Sequence, residues 1–208
     1  MTDIILYGLP PSSYVRTAMM MLAHKGVDYT LTPVDFRSEE YTATHPFSKM
    51  PAMKHGSVEL YETLAIGIYI DDTFDGPALV PSDPVLKARM FQWVSVVNDY
   101  VYDTMVRNCV WERFVKPMRG IDPDEATIAA AKPRIARQLD VLSAALDGAY
   151  LAGDAPTMAD HFAAPILAYL AATPEGEEML PAHPRITAWQ ERMAQTPDYA
   201  RINAMGPP

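Results

Sequence analysis

Three short stretches carry residue types whose spacing suits chemistry. Ser12 and Ser13 follow the Pro10-Pro11 pair, with Arg16 four residues beyond Ser12. Either hydroxyl can cap a following helix, because a serine oxygen accepts from an orphan N–H of the first turn. Glu62-Thr63 opens a second helical stretch, where unpaired N–H groups and the positive end of the helix dipole attract a carboxylate. Thr157-Met158-Ala159-Asp160 has the spacing of a capping box, and His161 stands beside the acid. An acid next to an imidazole invites a catalytic reading. A reciprocal cap at the head of the most apolar helix accounts for both Thr157 and Asp160, so they are read as structural. The single cysteine, Cys109, has no partner for an internal disulfide and no companions for a zinc site, so no metal is expected.

Composition narrows the classes further. With 208 residues and a net charge of −9, the chain is unlike the strongly basic nucleic-acid binders, and neither nucleic acid nor membrane is expected as a partner. Its longest apolar run, Ala163 to Ala172 with a proline inside, is half of the roughly 20 residues that a membrane span needs. The first residues, Met-Thr-Asp-Ile-Ile-Leu, lack the basic region of a secretory signal, and together with the lone cysteine they suggest a cytoplasmic protein.

Elements must hold those residues in place. Asp3 to Tyr7 reads as a buried strand stopped by Gly8-Leu9-Pro10-Pro11, where two prolines fix φ and remove two donors. A helix follows, with Val15, Ala18, Met19 and Leu22 at helical spacing up to Lys25-Gly26. A strand over Asp28 to Val34 then completes a strand-helix-strand unit, which implies a parallel pair. After a loop, Ala52 to Lys54, a His55-Gly56 turn and Ser57 to Leu60 form a hairpin. Glu62 opens the next helix, with Ala65, Ile66, Tyr69 and Ile70 inward and Asp75-Gly76 at its end. Pro77 to Pro84 carries three prolines in eight residues and reads as an extended connector. Helices are expected beyond it: Val85 to about Lys116, Asp124 to Asp147 with a kink at Pro133, Thr157 through Ala171, and Pro184-Arg185 to Gln195.

A βαβ then ββα order in about eighty residues, with a proline opening the third strand, is the thioredoxin arrangement, and an all-helical region follows it. Six motifs appear in order: Leu6-Tyr7-Gly8, Pro10-Pro11-Ser12 with Arg16, His45 to Ala52, Leu60 to Ile66, Gly153 to Asp160, and His183-Pro184-Arg185. Together they resemble the glutathione S-transferase family over nearly the whole chain, in its serine-type, cytosolic, bacterial-like form. The resemblance implies a thioredoxin-like glutathione-binding domain at 1–76, a linker at 77–84, and an all-helical domain at 85–208 that forms the electrophile pocket.

What the family does with these positions can be carried over residue by residue. The Met50-Pro51 bond would be cis and would present the Met50 backbone to the cysteinyl backbone of glutathione. Thr63 would hold the γ-glutamyl carboxylate, Glu62 its ammonium, and Lys49 the glycyl carboxylate, with Lys54 and Arg16 adding positive potential. Ser12 would hold the thiolate, and Ser13 would take its place if the turn slips by one residue. A thiol with a pKa of about 8.5 is only about 3% ionised at pH 7. Lowering that pKa by about 1.5 units takes roughly 2 kcal/mol, which one hydrogen bond to a charged group supplies.

Tyr7 reads as core, and no cysteine lies between Leu9 and Arg16. His45 and Ser48 stand where the family commonly has asparagine and glycine. Leu9, Tyr14, Tyr100, Met105 and Trp111 are the candidates for the electrophile pocket. The implied function is conjugation of glutathione, as co-substrate, to small apolar electrophiles by a homodimer. A glutathione-dependent isomerase of maleyl-type diacids and a non-catalytic ligand-binding or scaffold protein are the alternatives.

Overall fold

The computed structural model describes residues 3–206; residues 1–2 and 207–208, at the outer ends of the two expected domains, lie outside the described residues. The first part runs β1 (Ile4–Tyr7), α1 (Ser13–His24), β2 (Thr30–Thr32), α2 (Glu39–Thr44), β3 (Ala52–His55), β4 (Val58–Tyr61) and α3 (Thr63–Thr73). The strands form one sheet in the order β2-β1-β3-β4. β1 runs parallel to β2, with Leu6 opposite Leu31, and antiparallel to β3, with Leu6 opposite Met53. This is the thioredoxin-like arrangement. β2 is shorter than the expected Asp28 to Val34, since Pro33 has no N–H to continue a ladder. The expected loop after it contains α2, started by Ser38, whose hydroxyl accepts from the Tyr41 N–H at 3.1 Å, and by Glu39 and Glu40 in the first turn. Six residues are too few to display a helical period.

α1 is buried from Val15 through Leu22 without interruption, which a helix with one wet face would not be. The reason is its position, packed against α3 of its own layer and against two helices of the second part. α3 approaches so closely that a Cβ on Gly67 would lie 2.8 Å from the Met21 sulfur. The proline-rich connector carries no regular element, yet it is not a free spacer. Leu79 is fully buried, and the Leu79 and Val80 N–H groups donate to the Asp71 carboxylate at 2.8 and 3.0 Å. Lys25 reaches the same carboxylate at 2.7 Å, and the Leu79 carbonyl accepts from the Met158 N–H.

The second part is helical throughout. α4 (Pro84–Val96) continues into a section of wider π-type winding, Val97–Val115, and ends as α5 (Lys116–Met118). α6 (Glu125–Ala145) runs on through Pro133. α7 (Met158–Ala171), buried except at Ala168 and Ala171, is the central helix and touches α1, α4, the π-wound section and the helices after it. Those are α8 (Pro174–Met179), α9 (Pro184–Ala194) and α10 (Pro197–Asn203). Sequence periodicity misses α8 and α10 because of their shortness. Both nevertheless begin with Thr-Pro, a cap residue followed by proline at the first helical position, and that signal was legible.

The expected cap at Thr157 is present and turns out to be part of a larger junction. Asp160, 0% exposed, accepts through Oδ2 from both the N–H and the hydroxyl of Thr157, each at 2.9 Å. Through Oδ1 it accepts from the Leu151 N–H at 3.0 Å and the Trp189 indole at 2.9 Å. His161 turns away toward α10. Its Nδ1 donates to the Thr157 carbonyl at 2.8 Å and its Nε2 to Asp198 at 3.0 Å, while His24 of α1 lies 3.5 Å from the same carboxylate oxygen. Burial alone would raise the Asp198 pKa, but the hydrogen bonds from His161 and His24 outweigh it and hold the acid well below the usual carboxylate range.

Two consequences can be measured. Asp160→Ala strands four buried donors and should cost roughly 3–5 kcal/mol, a fall in Tm of about 10 °C by calorimetry; a loss of under about 2 °C would contradict the junction. A depressed folded-state pKa means that Asp198 stabilises the fold above its unfolded value of about 3.9 and loses that contribution as pH falls. Asp198→Asn should therefore melt well below the parent at pH 7, with the gap closing below about pH 4. A gap that widened in acid would show the sign to be wrong.

Candidate active site

A cavity of about 350 Å³ opens between the end of the sheet and the helical part. Lys49, Met50, Pro51, Glu62 and Thr63 all line it, although they come from two separate turns. The first turn links α2 to β3. Tyr41, buried on α2, donates its hydroxyl to the Lys49 carbonyl at 2.6 Å, and burial pushes its pKa up to about 12. Ser48 takes a left-handed φ of 48°, the conformation that glycine adopts most readily. The Met50-Pro51 bond is cis. The Met50 sulfur accepts from the Leu9 N–H at 3.4 Å, which ties this turn to the one after β1. His45 is buried on the cavity wall, and burial lowers its pKa, so the imidazole presents a neutral face.

The second turn joins β4 to α3. Glu62, with φ 70°, occupies a region that a side chain makes costly, and it does so as the residue preceding the first helical position. No side chain caps α3 at that point, so its first N–H groups and its positive dipole end face the cavity beside the exposed Glu62 carboxylate. The sequence-predicted pair Glu62-Thr63 thus stands at an uncapped helix start on the cavity.

The third turn follows β1. Ser12 is the N-cap of α1, and its hydroxyl oxygen accepts from the Val15 N–H at 3.4 Å. An oxygen used in this way still has its own proton to donate. Ser12 is half-buried, whereas Ser13, the first residue of α1, is only 5% exposed. The two prolines are fixed from below: Arg16 donates from Nε to the Pro10 carbonyl at 2.8 Å, and Tyr169 of α7 donates to the Pro11 carbonyl at 2.9 Å. Arg16, 3% exposed, lies 4.9 Å from the Tyr169 ring centre, and among the described residues no carboxylate pairs with it. Neither serine is among the residues lining the cavity, and neither is Leu9; the turn enters it through Tyr14. Tyr7, the expected core residue, packs its half-buried ring against Tyr41 at 6.2 Å.

The far wall differs from the expected one. Tyr14 lines the cavity, but Tyr100 is 63% exposed on the outer surface, Met105 is fully buried in the core, and Trp111 lies outside under the Arg119 guanidinium. Asn98, Tyr102, Arg107 and Phe162 supply the wall instead. The Tyr14 hydroxyl donates to Asn98 Oδ1 at 2.9 Å, and burial raises its pKa far above the ordinary value. Its ring stacks on Tyr102 at 4.7 Å and meets Phe162 edge-on at 6.1 Å. The error has a physical source. Position along a helix does not say which side a residue occupies, and here the hydrogen bonds run from i to i−5, as from the Lys116 N–H to the Trp111 carbonyl, so the winding is wider than that of an α-helix. Cys109 is buried 3.6 Å from Glu175, and burial together with that acid pushes its thiol up to about 11, so it is inert packing.

Comparison with known proteins agrees with this geometry. Residues 2–72 match the glutathione S-transferase N-terminal domain and residues 97–197 the glutathione S-transferase C-terminal domain. The chain is 31% identical to glutathione S-transferase 3 of Zea mays, over all of this chain and 96% of that one. Among solved structures, glutathione S-transferase III in its apo form superposes with a TM-score of 0.89 at 31% identity, covering 99% of both chains. A theta class glutathione S-transferase from Xanthomonas axonopodis pv. citri, solved with glutathione bound, gives a TM-score of 0.87 at 28% identity over 97% of both. With the fold, the turns and the relatives in agreement over the whole length, the chain belongs to the glutathione S-transferase family.

Proposed function

We infer that this chain is a transferase that joins the sulfur of glutathione to small electrophiles, with Ser12 holding the thiolate. One observation carries the reading: Lys49, Met50, Pro51, Glu62 and Thr63, each matched on sequence to one part of the tripeptide, line a single cavity. Glutathione has two carboxylates and one ammonium, and this cavity offers a complement for each. The open start of α3 and the Thr63 hydroxyl take the γ-glutamyl carboxylate, Glu62 the ammonium, and Lys49 the glycyl carboxylate. The cysteinyl backbone pairs with that of Met50. A theta class relative solved with glutathione bound supports the choice of ligand.

Ser12 is preferred to Ser13 because a donor must reach the sulfur, and Ser13 is the more buried of the two. Its proton donates to the thiolate while its oxygen keeps the Val15 N–H, so activation costs the helix nothing. The buried Arg16 below the same turn, unpaired with any acid among the described residues, adds positive potential at the start of α1. The thiol proton leaves to solvent. The sulfur lone pair then forms the new bond to carbon, and a leaving group departs with its electrons or the adduct takes up a proton. A reducing cytoplasm, in which glutathione stays a thiol and Cys109 stays free, suits the activity.

Calorimetry should detect glutathione binding, and ultraviolet titration should find the bound thiol about 1.5 units more acidic than free glutathione; no heat at millimolar ligand would remove the reading. Ser12→Ala should lose that shift and about tenfold or more in kcat while binding changes far less. If Ser13→Ala did this instead, the donor would be Ser13. The chain is also proposed to pair with a second copy along the long helix and the hairpin face, where Tyr100 and Phe47 are 63% and 67% exposed. Sedimentation at micromolar concentration that returned the 23.1 kDa of one chain would contradict the dimer.

A further inference from the structure

We propose that the wall formed by Tyr14, Tyr102 and Arg107 selects flat aromatic electrophiles that carry a carboxylate, with Arg107 receiving the anionic end. The inference rests on the glutathione reading and extends it to the class of the second substrate. Lys49, Glu62 and Thr63 are matched by the tripeptide's own charges. Arg107 is the lining cation left over, and among the described residues no acid forms an ion pair with it. Its guanidinium lies 5.6 Å from the Tyr102 ring centre, and Tyr102 in turn stacks on Tyr14 with 29° between the ring planes. The Tyr14 hydroxyl is committed to Asn98, which fixes that ring and removes it as a mobile donor. The result is an aromatic shelf with a planar cation at its edge, complementary to a planar ring that ends in a carboxylate.

The winding of the helix is what assembles this shelf. Asn98, Tyr102 and Arg107 are four and five residues apart. In an α-helix the nine residues from 98 to 107 span about two and a half turns, which would put Arg107 on the face opposite Asn98. The wider turns of the Val97–Val115 section bring all three to one cavity.

The test compares S-benzylglutathione with S-(para-carboxybenzyl)glutathione by calorimetry on the intact protein. The carboxylated ligand should bind about tenfold more tightly, as expected for one added hydrogen bond between charged groups. Arg107→Gln should abolish that preference, bringing the two Kd values within about twofold of each other, whereas Arg107→Lys, which keeps the charge without the fork, should retain part of it. Equal affinities in the parent protein would overturn the inference while leaving the glutathione reading intact. A variant that weakened both ligands equally would overturn it too, assigning Arg107 to the tripeptide or to the fold. If neither ligand bound, the glutathione reading would itself fail, and this inference with it.

Discussion

A buried carboxylate without enough donors is among the most costly features a fold can contain, and Asp160 shows what it takes to keep one. Its two oxygens accept from four donors, supplied by the start of α7, the segment at Leu151 and the indole of α9. Once these are in place, the direction and start of α7 are set. The rest of the molecule is arranged on that helix. Its next residue, His161, reaches α10 through Asp198, and Phe162 reaches the cavity. About two turns further along, Tyr169 holds the Pro11 carbonyl under the Ser12 turn. This buried junction thus sets the helix on which part of the cavity wall and the Ser12 turn rest.

α1 is the other half of this arrangement. It belongs in sequence to the sheet layer, but in space it lies between α3 on one side and α7 and α10 on the other, which is why it is buried almost all round. Ser12 caps its first turn, so the hydroxyl inherits the rigidity of the most enclosed helix in the first part of the chain. Arg16 and Tyr169 then support the turn from beneath, one from each part of the chain. The connector does the same at the opposite end, where Asp71 joins Lys25 to Leu79 and Val80. The cavity lies at a seam clamped at both ends, a setting that favours a fixed geometry over an adaptable one.

Within the cavity the two halves have different characters. The half near the sheet is built at turns, where Lys49, Glu62 and Thr63 stand around the Met50-Pro51 bond. The far half is aromatic, formed by Tyr14, Tyr102 and Phe162 with Arg107 at the edge, and the unusual winding of one helix determines which residues are there. Glu62, held at a φ that side chains avoid, marks the point where the fold accepts local strain to set an acid beside the open start of α3.

Much of this was legible in the sequence because the signals were local. Pro10-Pro11 before Ser12, Met50-Pro51, Glu62-Thr63 at a helix start, and Thr157 with Asp160 are turn and cap signatures, and each depends only on a few neighbouring residues and their backbone preferences. The helices with a long apolar period, α1, α6, α7 and α9, were legible for the same reason. Tertiary structure decided what the local signals leave open. The sequence named a cap at Asp160, but only packing could bring Leu151 and Trp189 to its other oxygen. Tyr100, Met105 and Trp111 were pocket candidates by their position on the long helix alone, and its wider winding turns Asn98, Tyr102 and Arg107 to the cavity instead. The side of a long helix that meets a ligand depends on the accumulated rotation along it, and that rotation is set by the helices packed around it rather than by any short run of residues.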